Sequence, residues 1–266
     1  MKTRVIVGVL LVALLLACLV FGGYLMIGFI SVISVLAIHE LRKVFAAKGW
    51  NPILIPAYCF AAVFGLVNHF FGLAWVAALY CCAVLATMII SVLDSKRSAG
   101  DGVISLFLFL YPILLLVTVL LNYFAFPRPL ALTASAMAWA APSFADMFAY
   151  FGGSLFGKHK LCPAISPKKT VEGSVAAILG GMIFGVLLIW LQRLWGGTAN
   201  PLALVLTGTI LGILAQFGDL FASKLKRWAE IKDFSALLPG HGGVMDRIDS
   251  ILISSPLVLV IFTILQ

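Results

Sequence analysis

Long apolar runs recur along this chain, with short polar segments between them. The runs lie at about 4–21, 23–40, 52–70, 72–93, 103–123, 130–154, 173–192, 202–222 and 244–265. Each is close to the roughly 20 residues that a helix needs to cross a bilayer, and the apolar residues surround each helix rather than one face of it. The alternation typical of membrane strands is absent. The pattern predicts an all-α, polytopic integral membrane helical bundle of about nine transmembrane helices.

The composition agrees with a membrane protein. Of 266 residues, 63% are hydrophobic and only 11% are charged, whereas a soluble domain has about 25% charged residues. The first run follows Lys2 and Arg4 and could be read as a cleaved signal peptide. We expect an uncleaved helix instead, because bulky Leu16 stands where a small residue is usual and the apolar sequence continues beyond it.

The distribution of basic residues predicts the orientation. With nine crossings and a cytoplasmic N-terminus, all of the 18 Lys and Arg residues except Arg128 and Arg193 fall on the cytoplasmic side, as the positive-inside rule requires. We therefore expect an integral membrane protein whose N-terminus and basic loops face the cytoplasm. The net charge of +8 would then contact anionic membrane lipids. No nucleic acid partner is expected, because no aromatic-interleaved basic motif is present.

Acidic residues distinguish the two halves of the chain. In the first half Glu40 ends the second run, and we interpret it as part of a solvated helix end. In the second half Asp146, Asp219, Asp246 and Asp249 lie within or at the ends of apolar runs, where charges are costly and usually mark function. We therefore divide the chain into N-terminal membrane helices (1–125, about five spans) and a C-terminal catalytic membrane region (126–266) with cytoplasmic loops 157–173 and 223–245.

Three of these acids predict a metal site. Asp246 and Asp249 are three residues apart and share one face of a helix, and Asp219 falls near the same membrane boundary. Ligands that are all oxygen suit Mg²⁺, with Mn²⁺ as a possible substitute. The alternative is that these acids only form ion pairs with Arg227 and Arg247. We favour the metal site because three acids flank one basic loop.

Two predicted cytoplasmic loops have features of phosphate-binding sites. Residues 166–172 read Ser-Pro-Lys-Lys-Thr-Val-Glu, which predicts a helix start, and a helix N-terminus with lysines attracts anions. Residues 239–243 read Pro-Gly-His-Gly-Gly, and such glycines let backbone N–H groups turn toward an anion. Residues 152–159 resemble a Walker A loop up to Lys158, but His159 replaces the required Ser or Thr, so we reject that interpretation.

These segments together resemble a known family. Residues 223–249 read SKLKRWAEIKDFSALLPGHGGVMDRID and match every fixed position in the signature of the phosphatidate cytidylyltransferases, also called CDP-diacylglycerol synthases. Residues 157–161, 166–173 and 215–220 are similar to that family too, and the resemblance covers about 142–250. One departure follows Asp146, where the family usually has small residues and this chain has Met147 and Phe148. The role of Asp146 is therefore left open.

The resemblance implies an enzyme of phospholipid biosynthesis in a bacterial-type inner or plasma membrane, with its active site facing the cytoplasm. Its reaction would join CTP and phosphatidate into CDP-diacylglycerol and pyrophosphate, with Mg²⁺ as cofactor and a homo-oligomer, by default a dimer, as the expected assembly. The implied metal ligands and catalytic residues are Asp219, Asp246, Asp249, Lys226, Arg227 and Ser223. The implied substrate-binding residues are Lys168, Lys169, His241, Gly242, Gly243, Arg247, Lys232 and Asp233.

Two other functions stay open at this point. A CTP-dependent lipid kinase would transfer the γ-phosphate, but the complete signature argues against it. A cation transporter would spread its acids across the membrane, whereas Asp219, Asp246 and Asp249 all fall near one face. The motif of CDP-alcohol phosphotransferases does not occur in the sequence.

Overall fold

The structure is a computed structural model that describes residues 2–264, with side chains described from residue 6 onward. The side chains of Lys2 and Arg4 and the predicted end of the last span at 265 therefore lie outside the described residues. Ten α-helices account for most of the described chain: α1 (Lys2–Phe21), α2 (Gly23–Ala46), α3 (Ile55–Phe71), α4 (Leu73–Leu93), α5 (Ala99–Leu108), α6 (Leu115–Phe124), α7 (Arg128–Phe156), α8 (Val171–Leu191), α9 (Pro201–Trp228) and α10 (Met245–Ile264). The all-α polytopic membrane fold is confirmed.

Each of the nine predicted runs coincides with helical structure. Six helical segments are long and apolar enough to cross a membrane, and two shorter apolar helices, Ile6–Phe21 and Ile55–Phe71, accompany them. The sixth predicted run corresponds to α7. The number of crossings and the cytoplasmic N-terminus stay predictions.

The fifth predicted run is one span in the sequence but two helices in the structure. A π-helical segment, Phe109–Leu114, joins α5 to α6, and Tyr111 within it has a non-helical backbone (φ −137°, ψ 107°). The cause is Pro112, because proline has no N–H to donate and its ring collides with the preceding turn. Hydropathy does not reveal this break, since every residue from Phe109 to Leu114 is apolar.

Large apolar side chains cover much of the surface. Examples with more than three quarters of their area exposed are Phe21, Val92, Leu93, Leu194 and Ile264. A water-soluble protein rarely exposes apolar patches of this extent. Lipid is the environment that satisfies them.

The chain forms two compact units. The first contains Met1–Leu120 and Trp228–Arg247, and the second contains Leu121–Arg227 and Ile248–Gln266. The segment between α9 and the start of α10 thus belongs with the N-terminal helices. The functional division predicted at residue 125 stays a prediction.

In the first unit, aromatic packing and loop hydrogen bonds hold α2, α5 and their connections. Phe45 at the end of α2 packs against Phe107 and Trp228, with ring centroids 5.8 and 6.0 Å apart. The backbone N–H of Asn51 donates to the Asp101 carboxylate at 2.6 Å. The end of α2 is therefore tied both to α5 and to the chain that leaves α9.

In the second unit, small residues let helices α7, α8 and α9 approach closely. Ala145, Ala177 and Ala215 form a fully buried cluster. Gly181 of α8 and Gly208 of α9 face each other so closely that a Cβ on either would collide with the other's backbone. Helices in lipid associate through such close packing, because no hydrophobic effect drives them together.

A short hairpin precedes α8. Strand β1 (Lys160–Cys162) pairs antiparallel with β2 (Ser166–Thr170). The predicted helix start is confirmed, since Thr170 is the N-cap of α8 and its hydroxyl accepts the Gly173 N–H at 3.1 Å. The strand before it was not predicted, because a five-residue polar strand has no hydrophobic alternation to mark it.

Candidate active site

Three carboxylates of the second unit lie close together, and we call Asp146, Asp219 and Asp249 the acid cluster. The Ser250 hydroxyl lies 3.1 Å from an Asp146 oxygen and 3.4 Å from an Asp249 oxygen. The charges of Asp219 and Asp146 both act on Asp249, which is only 6% exposed. Helices α7, α9 and α10 each supply one acid to this cluster.

A glycine lets two of these helices meet. A Cβ on Gly218 of α9 would lie 2.5 Å from the Asp249 carbonyl oxygen and 2.9 Å from the Ser250 Cα, so only glycine allows this approach. Because Gly218 precedes Asp219 in the chain, the contact also fixes how near Asp219 comes to Asp249. The geometry of the acid cluster thus depends on helix packing.

Basic residues lie beside the acid cluster. Lys169 on strand β2 forms an ion pair with Asp219, and both side chains are partly exposed. Lys226, about two turns beyond Asp219 on α9, is 8% exposed and its charge acts on Asp249. Lys168 is exposed, as expected of the neighbouring residue on a strand. Acidic and basic side chains therefore lie together in one site.

Two further side chains of the predicted site lie on the same stretch of α9. Ser223, one turn after Asp219, is 8% exposed. The Arg227 guanidinium donates from Nε to the Ile165 carbonyl at 3.4 Å, in the turn between the strands of the hairpin. Arg227 thus contacts the segment that carries Lys168 and Lys169.

An amide–hydroxyl link anchors the start of α8. The Ser174 hydroxyl donates to the Gln216 side-chain oxygen. The Gln216 amide nitrogen in turn donates to the Ser174 carbonyl at 3.2 Å and to the Gly212 carbonyl at 2.7 Å. Because α8 begins directly after β2, this link also helps to place Lys169 beside α9.

The rest of the signature belongs to the first unit, and we call residues 229–244 the signature loop. One Asp246 oxygen, Oδ2, accepts the backbone N–H groups of Phe234 at 3.0 Å and Gly243 at 2.9 Å. Gly242 has a φ of 78°, a backbone conformation that residues other than glycine rarely adopt. Asp246 therefore joins the first half of the signature loop, at Phe234, to its end at Gly243.

Several predicted substrate-binding residues lie on or next to this loop. Lys232, Asp233 and Arg247 are exposed, and His241 is partly buried. The His241 Nδ1 atom is itself buried and has no hydrogen-bond partner among the residues that the structure describes. A buried polar nitrogen of this kind normally needs a partner, which a bound ligand can supply.

The donor atoms of the acid cluster suit Mg²⁺. Within the described part of the chain, no three His, Cys, Asp or Glu side chains meet closely enough to hold one ion by themselves. Mg²⁺ usually keeps several waters and takes one or two carboxylates together with substrate phosphates. Like charges around the buried Asp249 are costly unless a cation compensates them. The acid cluster therefore fits Mg²⁺ in its chemistry, and the predicted ligand role of Asp246 stays a prediction.

The structure adds contacts that the sequence did not indicate. Ser250 and Ser174 lie just outside the family-like segments, and Gln216 lies within one of them (215–220), where no role is predicted for it. Only packing reveals their contacts. Asp146 was noticed as a charge within a span, and its link through Ser250 now places it in the acid cluster. The expectation that Glu40 is solvated is wrong: α2 continues to Ala46 and Glu40 is only 2% exposed.

Comparisons with known proteins agree with the resemblance. A family model described as the cytidylyltransferase family matches residues 2–265. A phosphatidate cytidylyltransferase of Staphylococcus haemolyticus is 30% identical over 264 residues, which are 97% of each chain. One of Synechocystis is 42% identical over 137 residues, 50% of this chain and 43% of the relative. One of Rickettsia felis is 41% identical over 119 residues, 44% of this chain and 52% of the relative. The chain therefore belongs to the cytidylyltransferase family.

Proposed function

We propose that this protein is an integral membrane phosphatidate cytidylyltransferase. It transfers CMP from CTP to phosphatidate and releases CDP-diacylglycerol and pyrophosphate. Relatives that align over nearly the whole chain carry that name. The observation that carries the proposal within the molecule is the acid cluster with Lys169 and Lys226 beside it, because the reaction needs oxygen ligands for a cation and fixed positive charge for phosphates.

The chemistry explains why both charges are needed. An oxygen of the lipid phosphate forms a bond to the α-phosphorus of CTP, while the bond from that phosphorus to the β-phosphate oxygen breaks. Two polyanions must meet, and negative charge grows on the leaving pyrophosphate. Positioning and charge compensation provide most of the rate in such transfers. The protein needs no covalent intermediate.

The proposed roles take the acid cluster as the place of the cation. Asp219 and Asp249 would hold Mg²⁺, with Asp146 as a further oxygen ligand, and the ligand role predicted for Asp246 stays a prediction from the sequence. When bound, Mg²⁺ neutralises charge on the phosphate oxygens. Lys226 is buried beside these acids and is therefore suited to an inner phosphate. The other groups proposed to bind phosphate or orient a ligand are Lys168, Lys169, Arg227 and Ser223.

The signature loop is proposed to hold the nucleotide. Its glycines allow backbone N–H groups to face an anion, and the buried His241 nitrogen is available for a hydrogen bond. Lys232, Asp233 and Arg247 are exposed on or beside the loop, where they can reach the nucleotide. In this assignment the acid cluster binds the cation and the reacting phosphates, and the signature loop binds the rest of the nucleotide.

The proposal includes where the reaction takes place. The bias of Lys and Arg residues supports an N-terminus and an active site on the cytoplasmic side of a bacterial inner or plasma membrane, where CTP is available. Phosphatidate reaches the site within the bilayer, because its acyl chains leave lipid only at a high free-energy cost. A homodimer is the proposed assembly.

One labelling experiment tests reaction and orientation together. Inverted and right-side-out vesicles that contain the protein receive CTP labelled in the α-phosphate or the γ-phosphate. We expect α label to enter lipid only in inverted vesicles and only with phosphatidate, with γ label in pyrophosphate. Transfer of γ label into lipid would instead indicate a kinase. Cation flux without transfer of either label would indicate a transporter, and labelling only in right-side-out vesicles would reverse the orientation.

A further inference from the structure

Glu40 is a buried carboxylate in the last two turns of α2, and its hydrogen-bond donors all come from one distant segment. Its Oε1 atom accepts the Ser235 hydroxyl at 2.6 Å and the Val244 N–H at 2.9 Å. Its Oε2 atom accepts the Met245 N–H at 2.8 Å. Burial of a carboxylate is tolerated only when donors replace its water, so these three bonds explain how Glu40 can be 2% exposed.

Two of these donors are backbone groups at the start of α10. The first N–H groups of a helix have no partner within the helix, and the helix dipole favours a negative charge there. Glu40 supplies both an acceptor and a charge from an element about 200 residues away in the chain. Glu40 therefore caps the N-terminus of α10 from a distant part of the chain.

Gly243 has a physical reason to be glycine that involves Glu40. A Cβ at position 243 would lie 2.6 and 2.7 Å from the two Glu40 carboxylate oxygens, closer than real Cβ contacts allow. Gly243, the second glycine of the His-Gly-Gly motif, thus allows the loop backbone to contact the Glu40 carboxylate. The first, Gly242, is required by its φ of 78°.

Together with Asp246, Glu40 closes the signature loop. Asp246 joins Phe234 to Gly243, and Glu40 joins Ser235 to Val244 and Met245. Both carboxylates bring the same two stretches of chain together. His241 lies between these stretches, and its ring packs near Gly8 of α1, with Nε2 3.6 Å from where a Gly8 Cβ would be.

We propose that Glu40 is a positioning residue that holds the signature loop in its nucleotide-binding conformation. This inference rests on the proposed function, in which that loop binds CTP. Glu40 does not touch substrate; it acts through Ser235, Val244 and Met245. The negative charge is essential to the role, because all three partners are donors and a neutral amide would turn its NH₂ group toward at least one of them.

The first experiment compares Glu40→Gln and Glu40→Asp with the wild type in detergent. For Glu40→Gln we expect KM for CTP to rise by at least about tenfold, as loss of hydrogen bonds to a charged group implies, with KM for phosphatidate changed less than about twofold. Glu40→Asp keeps the charge and should recover part of the affinity. The matched control is Ser34→Ala, because the Ser34 hydroxyl is buried in the same helix but bonds only within it, to the Ile30 carbonyl.

A merely structural role for Glu40 predicts a different result. It would reduce the amount of folded enzyme and hence the maximal rate, while both KM values stayed at the wild-type level. A lower maximal rate in Glu40→Gln with an unchanged KM for CTP would overturn the proposal. We would then also expect Glu40→Gln to lower Tm no further than Ser34→Ala does. Equal increases in KM for both substrates would overturn it as well.

A second measurement does not depend on turnover. Trypsin cuts after lysine, and Lys232 is exposed on the signature loop, so cleavage at this position serves as the readout. We expect Glu40→Gln to accelerate this cleavage by about tenfold or more, since opening of the loop becomes easier, and Ser235→Ala to accelerate it less. An unchanged cleavage rate in Glu40→Gln would contradict the role of Glu40. Absence of lipid product from the wild type would contradict only the proposed function.

Discussion

The acid cluster and the signature loop are ordered by different forces. Helices α7, α9 and α10 carry the acid cluster, and close backbone contacts such as that of Gly218 with Asp249 set its geometry. The signature loop has little regular structure, and two carboxylates hold it through hydrogen bonds to its backbone. One region is positioned by helix packing and the other by buried polar contacts.

The difference reflects what each region is proposed to bind. Reacting phosphates and a cation require fixed distances, and packed helices provide the most rigid support. A nucleotide must enter and leave, and a loop held by a few hydrogen bonds can open at a lower free-energy cost than packed helices. Substitutions in the acid cluster should therefore affect the chemical step, whereas substitutions that release the loop should affect nucleotide affinity.

The largest effects are expected from the proposed metal ligands. Asp219→Asn, Asp249→Asn and Asp246→Asn should each lower kcat/KM by at least about 100-fold, a loss of about 2.7 kcal/mol of transition-state stabilisation, because each removes a negative charge from the proposed metal site. Activity should depend on Mg²⁺ or Mn²⁺ and be abolished by EDTA. Steady-state rates of CDP-diacylglycerol formation measure both effects.

Asp246 can separate the two regions within this set. Asp246→Asn should also accelerate trypsin cleavage after Lys232, because Asp246 holds Phe234 and Gly243 of the loop together, whereas Asp249→Asn should not. The control is Thr209→Val in α9, whose hydroxyl bonds only to the Val205 carbonyl of its own helix. Near-normal turnover of Asp249→Asn would contradict the proposed role of Asp249 as a metal ligand.

A smaller effect is expected from the helix contact beneath the acid cluster. Gly218→Ala should lower kcat per folded molecule by between about tenfold and about 100-fold, because the added methyl group forces α9 away from Asp249 and small displacements of reacting groups are costly. Gly208→Ala introduces the same methyl group into the contact of α8 with α9, farther along α9 from the acids. It should lower stability by about 1–3 kcal/mol and leave kcat per folded molecule nearly unchanged.

Thermal unfolding and active-site titration distinguish these two variants. Equal losses of kcat in both would mean that helix packing supports the fold without setting the geometry of the acids. The conclusion that packing of α9 positions the acid cluster would then be wrong.

The smallest effect is expected from the ion pair of Lys48 with Glu230 at the start of the signature loop. The two groups are 2.5 Å apart, and the Glu230 side chain is 81% exposed. The hydrogen bond and the charge of Lys48 lower the pKa of Glu230. The pair therefore contributes stability at pH values above the unfolded pKa of glutamate, and the contribution is lost as the pH falls through the lowered folded value.

Exposed ion pairs contribute little and are screened by salt. At pH 7 we expect Glu230→Gln to shift Tm by less than about 2 °C and to leave KM for CTP unchanged. A tenfold rise in that KM would show that the exposed pair holds the loop as strongly as the buried carboxylates do.

The sequence determined the features that depend on local pattern. Apolar runs of bilayer length can only be satisfied as helices in lipid, so the positions of the helices followed from hydropathy. The acid Asp219 within an apolar run, the spacing of Asp246 and Asp249, and the family signature predicted the candidate site residues, and the structure brings Asp219 and Asp249 close together. The stretch 166–172 predicted a helix start, and Thr170 within it caps α8, because capping is a local interaction of neighbouring residues.

Only the tertiary structure decided which polar groups meet across the chain. Glu40 looked like the solvated end of a helix, because nothing in its neighbourhood shows that donors from residues 235, 244 and 245 surround it. Ser250 and Asp146 lie 104 residues apart in the chain, and no local pattern marks their contact. Burial and hydrogen-bond partners over such separations arise from packing, since they depend on where other helices place their side chains rather than on the residues beside them.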